Sequence, residues 1–132
     1  MTNEQIVRNA VDCFPDPARR ESYFDLYTEN VVIHGYAGLE PGLDNVKAFY
    51  RHMIWSAFPD ARVNILDLLS QGDKLALRFT LTGTHQGSFQ GIAPTGRTIE
   101  LKGITILRFE NGKCVERWAI ADFPDLMAQL TA

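Results

Sequence analysis

The period of the hydrophobic positions changes once along the chain, near Asp60. Before that point apolar residues recur at helical spacing, and after it they alternate. Thr2 and Gln5 have capping-box spacing, and Ile6, Val7, Ala10, Val11 and Phe14 make one apolar helical face that Pro15 ends. Asp16-Pro17 restarts a helix that carries Tyr23, Phe24, Leu26 and Tyr27 and stops near Asn30. Val31 to His34 reads as a short strand. Gly35 to Gly42, rich in glycine and holding Pro41, reads as a loop. A third helix is expected from Asp44, with Val46, Phe49, Tyr50, Met53, Ile54 and Ala57 as its stripe and Phe58-Pro59-Asp60 as its end. Trp55 lies off that stripe, so it is expected to pack on something else, such as a neighbouring subunit.

Beyond Asp60 the pattern predicts long strands over 61–70, 74–85, 98–110 and 114–121, and a short closing helix over 124–130. Gln71-Gly72-Asp73 is a turn, and Asn111-Gly112 is a strong hairpin signal. Helices first and antiparallel strands afterwards argue for an α+β fold, one domain over residues 1–132 with helices on one side of a bent sheet.

A two-residue turn at Asn111-Gly112 fixes which side chains share a face. It pairs Phe109 with Cys114, Leu107 with Glu116, Thr105 with Trp118, Gly103 with Ile120 and Leu101 with Asp122. This face is largely apolar and ends in a carboxylate. The opposite face carries Lys102, Arg108 and Arg117, a charged surface that suits a protein partner. On the preceding strand His85 ends the row Leu75, Leu77, Phe79 and Leu81. Asp122 and His85 thus put polar groups at one end of an oily cavity. A one-residue slip would move Asp122 to the other face.

Composition narrows the chemistry. The chain has 132 residues, 45% hydrophobic and 22% charged, with a formal net charge of -3. It has no clustered basic face for nucleic acid, no membrane-length apolar run and no signal-peptide pattern, so a cytoplasmic protein is expected. Cys13 and Cys114 are far apart and are read as reduced. The three histidines and two cysteines lack metal-ligand spacing. No glycine-rich nucleotide motif and no nucleophile elbow is present, so neither a metal nor a cofactor is expected.

The candidate chemistry has plain alternatives. In an apolar cavity Asp122 is a proton-transfer group, and beside Pro124 it is equally a helix cap. His85 and His34 are acid/base or carbonyl-orienting groups, or hydrogen-bonded strand-end residues. His52, off its helix stripe, is expected in solvent. Tyr23, Tyr27, Tyr36, Phe49, Phe58, Phe89 and Trp118, with Phe14 and Met53 on the helix faces, either line a pocket for a flat ligand or fill the core.

Three segments resemble a known family. They are Ala57-Phe58-Pro59-Asp60 at the helix-to-sheet junction, Gly83-Thr84-His85-Gln86-Gly87 with Gly91 to Arg97, and Asn111 to Trp118 followed by Asp122 and Gln129-Leu130. The whole chain is similar to the SnoaL-like polyketide cyclases of the nuclear transport factor 2-like superfamily. The resemblance implies a cone-shaped, strongly curved, mostly antiparallel sheet with helices over its concave face. It also implies a homodimer or homotetramer formed through the sheet. It implies Asp122 as general acid/base in a cofactor-free aldol ring closure, with His85 and His34 as pocket partners. The ligand is then a small apolar or aromatic ketone held by Trp118, Tyr36, Phe49, Met53, Phe58, Phe89 and Phe14. His34-Gly35-Tyr36 stands where the ketosteroid isomerase branch places its catalytic Asp, which argues against an isomerase of that type. The same fold also serves as a non-catalytic binding module.

Overall fold

The computed structural model describes residues 1–132. Helix α1 (Asn3–Cys13) starts at the Thr2–Gln5 capping box and buries Val7, Ala10 and Cys13. A 3-10 helix (Arg20–Leu26) follows, then strand β1 (Tyr27–His34). Next come α2 (Leu43–Phe49), a π-helical turn (Tyr50–Ile54) and α3 (Trp55–Ala57). The remaining strands are β2 (Arg62–Gln71), β3 (Lys74–Thr84), β4 (Thr98–Glu110) and β5 (Lys113–Ala121), closed by α4 (Phe123–Thr131). The sheet order is β1-β5-β4-β3-β2. β1 pairs parallel with β5 and all other pairs are antiparallel.

The sheet curves because its ladders are interrupted. Register shifts lie within β1, within β2 between Ile65 and Asp67, and within the β4–β5 pair. Each extra residue bends its strand and adds local twist. The inner face of the resulting curve holds the core, including Leu75, Leu77, Phe79, Leu81, Leu101 and Leu107. Rings and aliphatic residues from α1, the 3-10 helix and α2–α3 pack onto it.

The structure departs from the sequence pattern in three places. The second helix is shorter than expected, and Tyr27 to Asn30 belong to β1. The third helix contains a π turn, in which the Trp55 amide reaches back to the Tyr50 carbonyl. That wider turn adds a residue, so Tyr50 and Trp55, five apart, face the same way. Trp55 is therefore core, 2% exposed and set against Phe14 and Phe24, and not a subunit contact.

The third departure decides the site. Asn111-Gly112 is a hairpin turn as the pattern predicts, with Glu110 opposite Lys113 and Phe109 opposite Cys114. Arg108 then pairs with Glu116, leaving Val115 without a partner. Beyond this bulge Leu107 faces Arg117, Thr105 faces Ala119 and Gly103 faces Ala121. Every side chain from Glu116 onward changes face relative to an unbulged ladder. The burial pattern shows the switch, because Cys114 is buried and the next buried residues are Arg117 and Ala119.

Since Trp55 fills the core of one chain, Trp55→Ala should cost about 3–5 kcal/mol in urea unfolding without changing the sedimentation behaviour of the folded protein.

Candidate functional site

Inside the curved sheet lies a cavity of about 50 Å³. Its wall is almost wholly hydrocarbon, supplied by residues such as Val7, Phe14, Ile54, Leu77, Phe79 and Leu101. The polar lining groups are Arg117, Thr105 and the phenols of Tyr23, Tyr27, Tyr36 and Tyr50. These four are all the tyrosines the chain has. Five elements and a loop deliver the cluster. Tyr23 comes from the 3-10 helix, Tyr27 from the start of β1 and Tyr36 from the loop after it. Tyr50 begins the π turn, Thr105 lies on β4, and Arg117 follows the bulge in β5.

Arg117 is 6% exposed. Its Nε donates to Thr105 Oγ1 at 2.7 Å, and Thr105 Oγ1 donates to the Trp118 carbonyl at 2.9 Å. Its Nη1 lies 2.9 Å from the Tyr27 hydroxyl, 3.2 Å from that of Tyr50 and 3.4 Å from that of Tyr23. Tyr23 and Tyr27 share a hydrogen bond of 2.6 Å, and Tyr23 donates to Tyr50 at 3.1 Å. Nη2 donates to no protein atom, and no carboxylate forms an ion pair with the guanidinium. The cation also lies 5.8 Å from the centre of the Tyr36 ring.

Burial works against the Arg117 charge, but the surrounding phenol oxygens outweigh it and hold the guanidinium above the ordinary arginine range. Burial pushes three of the phenols up as well. Tyr36 is raised to about 12, and Tyr23 and Tyr27 are also raised, with neighbouring phenols reinforcing the shift at Tyr23. At neutral pH the site therefore holds one cation among neutral hydroxyls. Burying a charge without a counter-ion costs on the order of several kcal/mol, and here three phenol hydroxyls and Thr105 are the groups that offset it.

Tyr36, Phe49 and Phe123 close one end. Tyr36 stacks on Phe49 at 5.1 Å and meets Phe123 edge-on at 5.8 Å. All three keep partial exposure while most of the remaining wall is buried. The present cavity has room for a few waters, so a larger ligand must displace these rings.

The structure separates the candidates from the sequence. Phe14, Tyr36 and Phe49 line the cavity. Asp122 does not. It is exposed, and its carboxylate accepts from the Asp125 amide at 3.1 Å as the N-cap of α4. His34 and Trp118 lie with it along the outer face of the sheet, where His34 bonds Glu116 at 2.8 Å and stacks on Trp118. The bulge explains both Asp122 and Trp118, because an unbulged β5 would turn them inward. His85 is fully buried but off the cavity. Its Nδ1 accepts from the Thr95 amide at 3.2 Å, which holds the 85–97 loop, and its Nε2 has no partner. Phe58 and Phe89 pack on each other at 5.4 Å beside His85, and Met53 packs on the core, all outside the cavity lining. Arg117, read as outward with Lys102 and Arg108, is the central polar group of the cavity.

No group of three or more His, Cys, Asp or Glu side chains gathers to hold a metal ion. No helix is long and apolar enough to cross a membrane.

A curved α+β sheet around one polar-ended cavity is the architecture of a small-molecule pocket protein. The model of the SnoaL-like polyketide cyclases matches residues 4–130, so the chain belongs to that family. Solved structures agree. IdmH, a candidate polyketide cyclase from Streptomyces antibioticus, is 27% identical over 100% of both chains with a TM-score of 0.82. AclR, a candidate hydroxylase from Streptomyces galilaeus, is 26% identical over 98% of this chain and 80% of its own, with a TM-score of 0.84. A candidate polyketide cyclase from Acidithiobacillus ferrooxidans shares the fold at 21% identity, covering 98% of this chain and 94% of its own, with a TM-score of 0.84. No curated protein matches the chain in sequence.

A phenol whose folded value is raised stabilises the fold fully below its unfolded value, about 10, and that contribution is lost as pH rises toward the folded value. Ultraviolet titration should therefore show Tyr23, Tyr27 and Tyr36 ionising late, together with alkaline unfolding. Three phenols ionising near 10 in the folded protein would contradict the buried cluster.

Proposed function

We propose that this chain binds an aromatic or polycyclic carbonyl compound in the Arg117 cavity and promotes enolate chemistry there. The reaction class is aldol ring closure, or a related isomerisation or dehydration, as in a polyketide cyclase. The observation that supports it is the guanidinium with an unused Nη2, set beside phenol donors in a hydrocarbon wall. A substrate carbonyl oxygen would accept from Nη2, and a preorganised donor in a largely apolar site favours the oxyanion over the ketone. The α-carbon proton becomes more acidic and is lost to water. The enolate carbon then attacks a second carbonyl of the same molecule, and a neutral phenol or water protonates the resulting alkoxide. Asp122 takes no part in this version; Arg117 and the tyrosines carry it.

A second reading, a non-catalytic binding module, is favoured by the lack of any carboxylate or imidazole on the cavity wall. Deuterium exchange at the α-carbon of 1-phenyl-1,3-butanedione separates the two. The enzyme should accelerate exchange, Arg117→Met should lower it by about 100-fold or more, and Asp122→Asn should leave it unchanged. Binding without exchange would favour the module. Loss of exchange in Asp122→Asn would return the chemistry to that carboxylate.

The outer face of the sheet exposes Leu66, Ile104, Ile106, Trp118 and Ile120, the last 80% exposed. We read this patch as the seat of a second copy of the chain, because a contiguous apolar face of this kind favours burial. Sedimentation should give a dimer that Ile120→Asp converts to monomer. A monomeric wild type would overturn this.

A further inference from the structure

We infer that the ligand of the Arg117 cavity is an organic anion whose charge is spread over two coplanar oxygens, either a carboxylate or the enolate of a 1,3-dicarbonyl compound. This rests on the reading of the cavity as the ligand site and adds the charge of the ligand to it. The cavity wall holds one formal charge, Arg117, and no acidic side chain. The acidic side chain next to it in sequence, Glu116, points to the opposite face and is held by His34 and Arg108 at 2.8 and 3.3 Å. Tyr23, Tyr27 and Tyr36 are raised by burial and do not supply a phenolate at neutral pH. The guanidinium is thus a buried cation lacking its counter-ion, and a ligand that brings one removes the imbalance.

The geometry also selects the shape of the anion. Nε and Nη1 are used on Thr105 and the tyrosines, which leaves the Nη2 N–H groups for the ligand. Tyr50 accepts from the neighbouring Nη1 and from Tyr23 and keeps its own O–H free, so a second ligand oxygen can accept from Tyr50 while the first accepts from Nη2. Charge-assisted hydrogen bonds of this type are stronger than those to a neutral carbonyl. The free space, about 50 Å³, holds such a head group and little else. The attached ring is received where Tyr36, Phe49 and Phe123 give way, on surfaces that suit a flat apolar body.

Paired probes test this with the whole chain. Isothermal titration would compare benzoate with benzamide, and 1-phenyl-1,3-butanedione with its 2,2-dimethyl derivative, which cannot form the enolate shared between both oxygens. The expected result is that at least one anion-forming probe binds about ten- to hundredfold more tightly than its neutral partner. A benzoate preference identifies the carboxylate. A diketone preference, with enolate absorbance appearing on binding, identifies the enolate. In Arg117→Met the preference should vanish, because the charged donor has been removed. Arg117→Lys should keep part of the preference. Equal binding of charged and neutral partners to the wild type would overturn the inference while leaving the carbonyl pocket standing. Failure of all four probes to bind would overturn both. The wild-type comparison decides even if the Met variant does not fold.

Discussion

The unpaired residue Val115 determines which side of β5 looks into the molecule. With one extra residue between Cys114 and Glu116, the strand keeps its hairpin turn but exchanges faces. Glu116, Trp118 and Asp122 go outward, and Arg117, Ala119 and Ala121 face the helices. The small alanines leave room above β5, and Arg117 reaches across to the tyrosines of three other segments. The cavity, its single charge and its hydroxyl ring all depend on that local irregularity.

The architecture was legible because it rests on periodicity. The capping box at Thr2, the change of period near Asp60, the turn at Asn111-Gly112 and the closing helix after Asp122 all give local signals, and each element formed close to its expected place. The site was legible in its aromatic wall, where Phe14, Tyr23, Tyr27, Tyr36 and Phe49 line the cavity, and not in its polar centre, which depends on departures from periodicity. A bulge has no residue signature strong enough to show in Lys113 to Arg117. An unbulged register turns Trp118 and Ile120 inward and the bulged one turns in only Ala119 and Ala121 with Arg117, so hydrophobic alternation favoured the register that the strand does not adopt. The π turn hid Trp55 in the same way, by shifting a helical stripe through one residue. Asp122 carried two readings in the sequence, a proton-transfer group and a helix cap, and its carboxylate caps α4.

Membership of the SnoaL-like family fixes the scaffold and leaves the chemistry to the wall of the cavity. Here that wall offers a cation and neutral hydroxyls, an arrangement that stabilises negative charge on oxygen. It offers no carboxylate to remove a proton. On the proposed reading such a wall serves the electrophilic half of acid/base catalysis, or holds an acid, and both uses require Arg117. Arg117 is the one charged side chain on an otherwise uncharged wall, held there by Thr105 and three phenols.

The inward placement of Arg117 is the claim on which the rest stands, and its side-chain Nε–H can be observed directly in nitrogen-labelled protein. The account predicts a slowly exchanging Arg117 Nε–H with nuclear Overhauser contacts to ring protons of Tyr27 and Tyr50. A rapidly exchanging Arg117, with the Trp118 indole instead in contact with Tyr23 and Tyr50, would contradict it.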